Sequence, residues 1–406
     1  MTPAELTPAG PAPAAQPSAA QPSAGPAPAG PVTGHPGLPE QRSAAAAPPP
    51  WRRAAEAFSS RTLGRHQAAV VRIGFGLVWA AFLIREWPNR RVLYGDLSPW
   101  SDALASALMA ENGAFSVLPW YSGRLWFELV YHLAIVAAVL FALGWRTRAS
   151  GAVYLVTVVS LQNRSVFVGD GGDNVIHLIA IYLVFTRCAE VWSLDARRAA
   201  RTGGSRGAPW LWALLGLPLL AGPGPWPWPR LLLLLLWLTA ALWWGVSRRS
   251  PDGEPRAVLD ALANMTHHCA LLVIGAQVVL VYATAGWYKV QGSRWQDGTA
   301  LHYPLHLDYF TPWPALSALA AGSLVAVFLL TYGTVILQVA FPFTLLNRRL
   351  KNVLLALLAL EHLGIAVLLG LPFFSLTMIA ADAVFLPTAA LLWCERRIRG
   401  RRVTPV

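Results

Sequence analysis

The densest run of side chains able to do chemistry is Tyr282, Gly286, Tyr288, Lys289, Gln291, Arg294, Trp295, Asp297, Gly298, Thr299, His302, Tyr303, His306 and Asp308. Lys289 is the first charge after a long uncharged stretch. It can be read as a lysine at a helix end whose ammonium snorkels to the membrane interface. It can also be read as a partly desolvated amine that stands neutral near pH 7 and serves as a base, with Arg294 helping if close. A second polar run, Asn163, Arg164, Gly169, Asp170, Gly171, Gly172, Asp173, Asn174 and His177, leads into an apolar segment. Asp173 or Asn174 can cap that helix, and the glycines can form the turn before it. Alternatively the run lines a site, and His177, one turn into the helix, needs a polar partner there. Glu128 with His132, Glu361 with His362, Asp382 and Gln338 lie inside apolar segments. Hydrogen bonding between packed helices accounts for them, and a proton or ion path is the alternative use. His267 and His268 read as an interface pair rather than a metal site. No HExxH, CxxC, phosphate-loop or GxSxG pattern occurs, so metalloprotease, nucleotide-driven and serine-hydrolase chemistry have no support.

The elements that must position these residues are apolar. Segments 68–87, 125–143, 150–168, 174–192, 230–247, 268–289, 316–338, 353–371 and 374–393 each approach the ~20 residues that cross a bilayer. Segment 209–222 is shorter and is set off by Pro223, Pro225, Pro227 and Pro229, so 209–247 reads as an inserted helical hairpin or a re-entrant segment. With Arg61 and Arg65 in the cytoplasm, Arg146 and Arg148, the 197–206 stretch, Arg248 and Arg249, 348–351 and the 396–402 tail fall there too, provided the hairpin crosses twice. That arrangement predicts about ten spans with both termini inside. It puts 88–124, 163–173, 222–229 and 289–315 outside, so Lys289 and Asp173 share the external side. Segment 97–113 (Leu97, Trp100, Leu104, Ala107, Leu108) is expected to lie on the outer interface, where Trp226, Trp228, Trp295 and Trp313 also fall.

Composition supports the same fold class, an all-α polytopic transmembrane bundle. The 406 residues are 55% hydrophobic and 13% charged, against roughly 25% charged in a soluble domain, and mean hydropathy is +0.46. Residues 1–50 are almost wholly Ala, Pro, Ser, Gly and Gln, which predicts a disordered cytoplasmic tail and no secretory signal. A transmembrane domain over 60–395 and a basic tail over 396–406 follow. The net charge of +12 is carried by arginines clustered between apolar segments, the pattern of loops facing anionic lipid rather than nucleic acid. Cys188, Cys269 and Cys394 have no metal-ligand spacing and are expected to be buried, reduced thiols.

The stretch Tyr282-Ala-Thr-Ala-Gly286-Trp-Tyr-Lys289, followed by Trp295-Gln-Asp297-Gly298, resembles the horizontally transferred transmembrane (HTTM) domain family, whose relatives include the vitamin K-dependent gamma-carboxylases. Arg72-Ile-Gly-Phe-Gly, Leu143-Gly-Trp-Arg-Thr-Arg148, Trp192-Ser-Leu-Asp195, and His362 followed by Phe374-Ser-Leu-Thr-Met-Ile match in the same order, so the likeness covers roughly 60–395 apart from 209–247. The resemblance implies eight family spans plus the hairpin, in the cell (plasma) membrane. It makes Lys289 the candidate catalytic base, and it places Asp173 and His177 near where the carboxylases carry an assisting Asn-His pair. Asn174, Tyr282, Tyr288, Trp295, Asp297, His302 and His362 become candidate substrate contacts. The cofactor it implies is a reduced naphthoquinone of the menaquinol or vitamin K hydroquinone type. The activity would be that of a carboxylase-like lyase or quinol-dependent oxygenase, modifying or maturing an exported peptide or acting on a lipid-like substrate from the external side. The carboxylases' large propeptide-recognising domain after the last span has no counterpart here, so binding of a long propeptide in that manner is not expected. The competing expectation is a non-catalytic scaffold, immunity protein or small-molecule conduit on the same fold.

Overall fold

The computed structural model describes residues 58–202, 209–223 and 228–398. The expected tail 1–50, Arg206, Trp226 and the basic tail beyond Ile398 lie outside the described residues. Among the described residues every regular element is helical. The principal helices are α1 (Arg65–Glu86), α2 (Asp102–Asn112), α3 (Arg124–Leu143), α4 (Thr147–Arg164), α5 (Gly171–Leu183), α6 (Leu194–Thr202) and α7 (Pro209–Ala221). They continue as α8 (Trp228–Arg249), α9 (Glu254–Gln291), α10 (Pro314–Ala321), α11 (Leu324–Thr344), α12 (Arg348–Leu368), α13 (Pro372–Asp382) and α14 (Thr388–Ile398).

Among the described residues six helices are long and apolar enough to cross a membrane: α1 with its short continuation to Leu93, α3, α8, α9, α11 and α12. The pair α13 and α14, bent by 111°, makes a seventh if taken as one broken span. This is the architecture of a multi-pass membrane protein. Four expected spans differ. The 150–168 segment folds as α4, which is not among the six; it buries Ser150, Thr157, Ser160 and Arg164 against its neighbours rather than offering an apolar surface. The 174–192 segment is helical only to Leu183, and turns follow it. The 316–338 run is divided at Gly322 and Ser323, where Ser323 accepts from Ala326 N and starts α11 afresh. The 374–393 run breaks because Leu386 precedes Pro387, which disfavours helical geometry; Leu386 is extended at φ −64°, ψ 139°. Its carbonyl accepts instead from Gln67 Nε2 at 2.7 Å.

Close approach of helices rests on small residues, as is usual where no hydrophobic drive separates helix from lipid. A Cβ added to Gly74 of α1 would lie 2.5 Å from Ala380 Cβ of α13, and one on Gly76 would lie 2.8 Å from the Ala138 carbonyl of α3. Phe75, Trp79, Tyr131, Tyr154, Ile274, Tyr282 and Phe341 fill the core those contacts enclose. His267 and His268 of α9 knit the opposite end. His267 Nδ1 accepts from Arg187 N at 3.0 Å and its Nε2 meets Leu63 O at 2.7 Å, while His268 Nε2 accepts from Leu63 N at 2.9 Å.

The 209–247 hairpin is pinned internally. Trp212 of α7 and Trp237 of α8 stack at 4.0 Å and 6°, each indole donating to the other's carbonyl at 2.9 and 2.8 Å. Arg230, 1% exposed, donates to the C-terminal carbonyls of Leu219 and Gly222. Helix α2 begins later than the expected 97–113 interface segment, at a Ser101 cap, and buries Ala105 and Met109. Contrary to expectation only Cys188 is buried; Cys269 and Cys394 are exposed on helix surfaces.

Candidate functional site

Helix α9 carries Tyr282, Gly286 and Lys289 one helical turn apart, which sets all three on one face. That face meets α11 closely, because Gly286 has no side chain to hold off Val339; a Cβ there would lie 2.8 Å from Val339 Cγ2. The close approach lets Lys289 Nζ donate to Gln338 Oε1 at 2.8 Å, and Gln338 Nε2 donates onward to Glu361 Oε1 of α12 at 2.6 Å. Lys289 also stands 5.1 Å from the Trp295 ring centroid, a cation–π contact. An amide thus bridges an amine and a carboxyl group within the bundle.

A second bridge lies beside the first. The Tyr282 hydroxyl donates to Asp382 Oδ2 of α13 at 2.8 Å and stands 3.0 Å from His362 Nε2 of α12. With Asp382 ionised, the hydroxyl hydrogen goes to Asp382 and the hydroxyl oxygen accepts from His362; in that state Nε2 carries the imidazole hydrogen and Nδ1 is bare. His362, Asp382, Gln338 and Tyr282 are all buried. Glu361 Oε2, His362 Nδ1 and Asp382 Oδ1 are closed from solvent with no hydrogen-bond partner among the described residues. Buried polar atoms of this kind call for a partner such as an ordered water, an ion or a bound group.

Lys289 is one of two lysines in the chain, the other being Lys351, while the remaining cations are arginines. Arginine cannot release its proton in a protein, whereas a lysine ammonium can. A cation able to give up its proton, rather than an arginine, therefore occupies one end of this network.

The sequence-derived candidates divide between several places. Tyr282, Lys289, Trp295 and His362 come together here. Asp173 and His177 do not join them: neither has a hydrogen bond or ion pair to Lys289, whose partners are Gln338 and the Ala285 carbonyl. Asp173 belongs to a capping box, its Oδ2 accepting from Asp170 N at 3.0 Å, with Asp170 rather than Asp173 or Asn174 as the N-cap. Asn174 is exposed and His177 half-buried. Tyr288 is 73% exposed, pointing away from the network. Asp297 is exposed in the following loop, where hydrogen bonds from Thr299 and the nearby Arg294 hold its carboxyl below the usual carboxylate range. His302 is exposed and stacked on His306 at 4.2 Å. Gln338, Glu361 and Asp382 were visible in the sequence as polar residues within apolar spans, yet nothing in their spacing tied them to Lys289. Glu128 is engaged elsewhere, paired with Arg90 at 2.9 and 3.0 Å.

Two spaces border the network. A cleft of about 790 Å³ lies among Arg85, Pro312, Trp313, Ala366, Gly370, Pro372 and Phe373, with Ala366 one turn beyond His362. A narrow crevice of about 20 Å³ runs between α5, α9 and α13, lined by Val175, Leu178, Ile179, Gln277, Val278, Val281 and Met378. Its surface is wholly apolar. In comparisons with family models, curated proteins and solved structures, nothing matches this chain.

Proposed function

We propose that the chain is a polytopic protein of the cell membrane, with about ten crossings and cytoplasmic termini, in which Lys289 acts as a base toward a hydroxyl-bearing, lipid-soluble substrate reaching it from the external side. The observation that carries this reading is the Lys289–Gln338–Glu361 chain: a rare lysine, bridged to a carboxyl group inside the bundle, where arginine serves almost everywhere else. Its orientation draws support from charge. At the Lys289 end, Arg85, Arg90, Arg91, Arg164 and Arg294 each pair with an acid. At the opposite end Arg187, Arg198 and Arg256 also pair with acids, but Arg248, Arg249, Arg348, Arg349, Arg396 and Arg397 have no ion pair among the described residues, which suits arginines facing anionic lipid.

The resemblance to the HTTM family gives the reaction class: quinol-dependent modification or maturation of an exported peptide. A reduced quinone presents hydroxyl donors, and the unmatched atoms Glu361 Oε2, His362 Nδ1 and Asp382 Oδ1 are acceptors of that kind. When bound, it would supply an acidic hydroxyl; Lys289 would take that proton, with Gln338 holding the amine in place and Glu361 balancing the charge gained. Mass spectrometry of lipids and quinones co-isolated with the wild type and with Lys289→Ala tests the reading. A quinone retained by the wild type and depleted in the variant is expected. Absence of any quinone from both overturns the quinol assignment.

A further inference from the structure

The two bridges at the site have the same plan. Lys289 and Glu361 flank Gln338, and His362 and Asp382 flank Tyr282, so each joins a base to a carboxyl group through a neutral hydrogen-bonding residue. Their charges do not match. With His362 neutral and Nδ1 bare, the network offers one cation, Lys289, for two carboxyl groups. An uncompensated buried charge is expensive, and a proton is the smallest group that cancels it. The vacant positions for one are already present, since His362 Nδ1 and Asp382 Oδ1 are both buried and unpartnered.

No other charge nearby answers the deficit. Helix α5 brings Asp173 and His177, but Asp173 is held in its capping box. Helix α1 brings Arg72, whose Nη2 donates to the Trp192 carbonyl, and Glu86, which pairs with Arg85. Helix α12 brings Lys351 at its far end, where the ammonium caps the Phe385 carbonyl. Between Tyr282 and that end the rings of Phe341 and Phe385 meet edge-to-face in succession, at 5.2 Å from Tyr282 to Phe341 and 5.4 Å from Phe341 to Phe385. This aromatic closure leaves the Lys289 end as the route of exchange.

We propose that His362, Tyr282 and Asp382 form a proton-holding triad that stores a single exchangeable proton and trades it with Lys289 by way of Glu361. The transfer balances. The ammonium of Lys289 exchanges Gln338 for Glu361 by side-chain rotation and leaves its proton on the carboxylate. Glu361 and His362 are consecutive on α12 and face different ways, so Glu361 gives that proton to the bare Nδ1 of His362 only after both side chains rotate toward each other. The resulting imidazolium is held by the Asp382 carboxylate through Tyr282, whose O–H already points to Oδ2. Lys289 is thereby returned to the neutral amine. The triad's service to Lys289 rests on the base reading above, whereas the stored proton does not.

The full chain, reconstituted in lipid vesicles, can be followed by infrared difference spectroscopy as external pH is varied through neutrality, with deuterium oxide supplied outside. The expected wild-type result is uptake of a single proton per chain, with deuterium-sensitive bands. Asp382→Asn and His362→Gln should each abolish that uptake, and Tyr282→Phe should shift the bands by removing the bridge. Folding of each variant is checked by its retained helical circular dichroism. Lys289→Ala should keep the uptake but slow exchange at least several-fold; uptake retained with unchanged exchange would sever the triad from Lys289 and overturn the relay. Uptake surviving in both Asp382→Asn and His362→Gln, or none in the wild type, overturns the stored proton whether or not Lys289 is a base.

Discussion

At the scale of the residue, Gln338 decides whether Lys289 and Glu361 are partners or two isolated, half-buried groups. Gln338→Leu removes both hydrogen bonds at once, and leaving such groups unmatched typically costs about 1–3 kcal/mol. The double variant Gln338→Leu/Glu361→Leu should be less destabilised than the sum of its single changes, because a buried polar group is harmful chiefly when its partner is gone. Thermal unfolding in lipid nanodiscs measures both. Asp297 gives a pH-dependent counterpart outside the bundle. Its carboxyl lies below the ordinary range, so the loop's stabilisation is present above that range and is lost as pH falls through the depressed value. Hydrogen-exchange protection at the Thr299 amide, corrected for intrinsic rate, should follow that course and become flat in Asp297→Asn.

At the scale of the element, the α9–α11 contact sets the geometry of the site. Gly286→Ala puts a methyl group against Val339 backbone and side chain, which forces the helices apart at an expected cost of about 1–3 kcal/mol. The shift should lengthen or break the Lys289–Gln338 bond without touching either residue, seen as faster hydrogen exchange over 282–291. The hairpin makes an independent prediction. Arg230→Ala frees the carbonyls of Leu219 and Gly222 and should raise exchange across α7 and α8 while α9, α11 and α12 keep their protection. Sequence patterning made α1, α3, α8, α9 and α12 legible because each presents a long uncharged run with arginine at its boundary. It did not show that α4 and α5 turn their polar residues toward neighbouring helices; whether a serine or arginine in an apolar run meets lipid or protein is decided by tertiary packing. Pro387 was the local sign of the α13–α14 bend, and Gly322-Ser323 of the break before α11.

At the scale of the whole molecule, the fold brings residues far apart in sequence, Lys289, Gln338, Glu361 and Asp382, to one end of one bundle. Hydropathy identified each as a polar group in an apolar span. Only the antiparallel order of α9, α11, α12 and α13 makes them a network, and that order is not written in spacing. The same limit explains Asp173 and His177: sharing a side of the membrane with Lys289 did not make them its neighbours. Orientation is testable on this scale with a membrane-impermeant thiol reagent on a chain from which the native cysteines have been removed. Asp308→Cys should label from outside intact cells, and Asp252→Cys only after the membrane is opened.

The central claim, that Lys289 presents a usable base within the network, is tested most directly by pulsed reductive methylation of the reconstituted protein at near-neutral pH. Only two lysine side chains compete for the reagent, and peptide mass spectrometry separates them. Methylation proceeds through the neutral amine, so the account predicts prompt modification of Lys289 at pH near 7, with a rate changed several-fold by Gln338→Leu. A Lys289 that reacts only at alkaline pH, as an ordinary ammonium would, contradicts it.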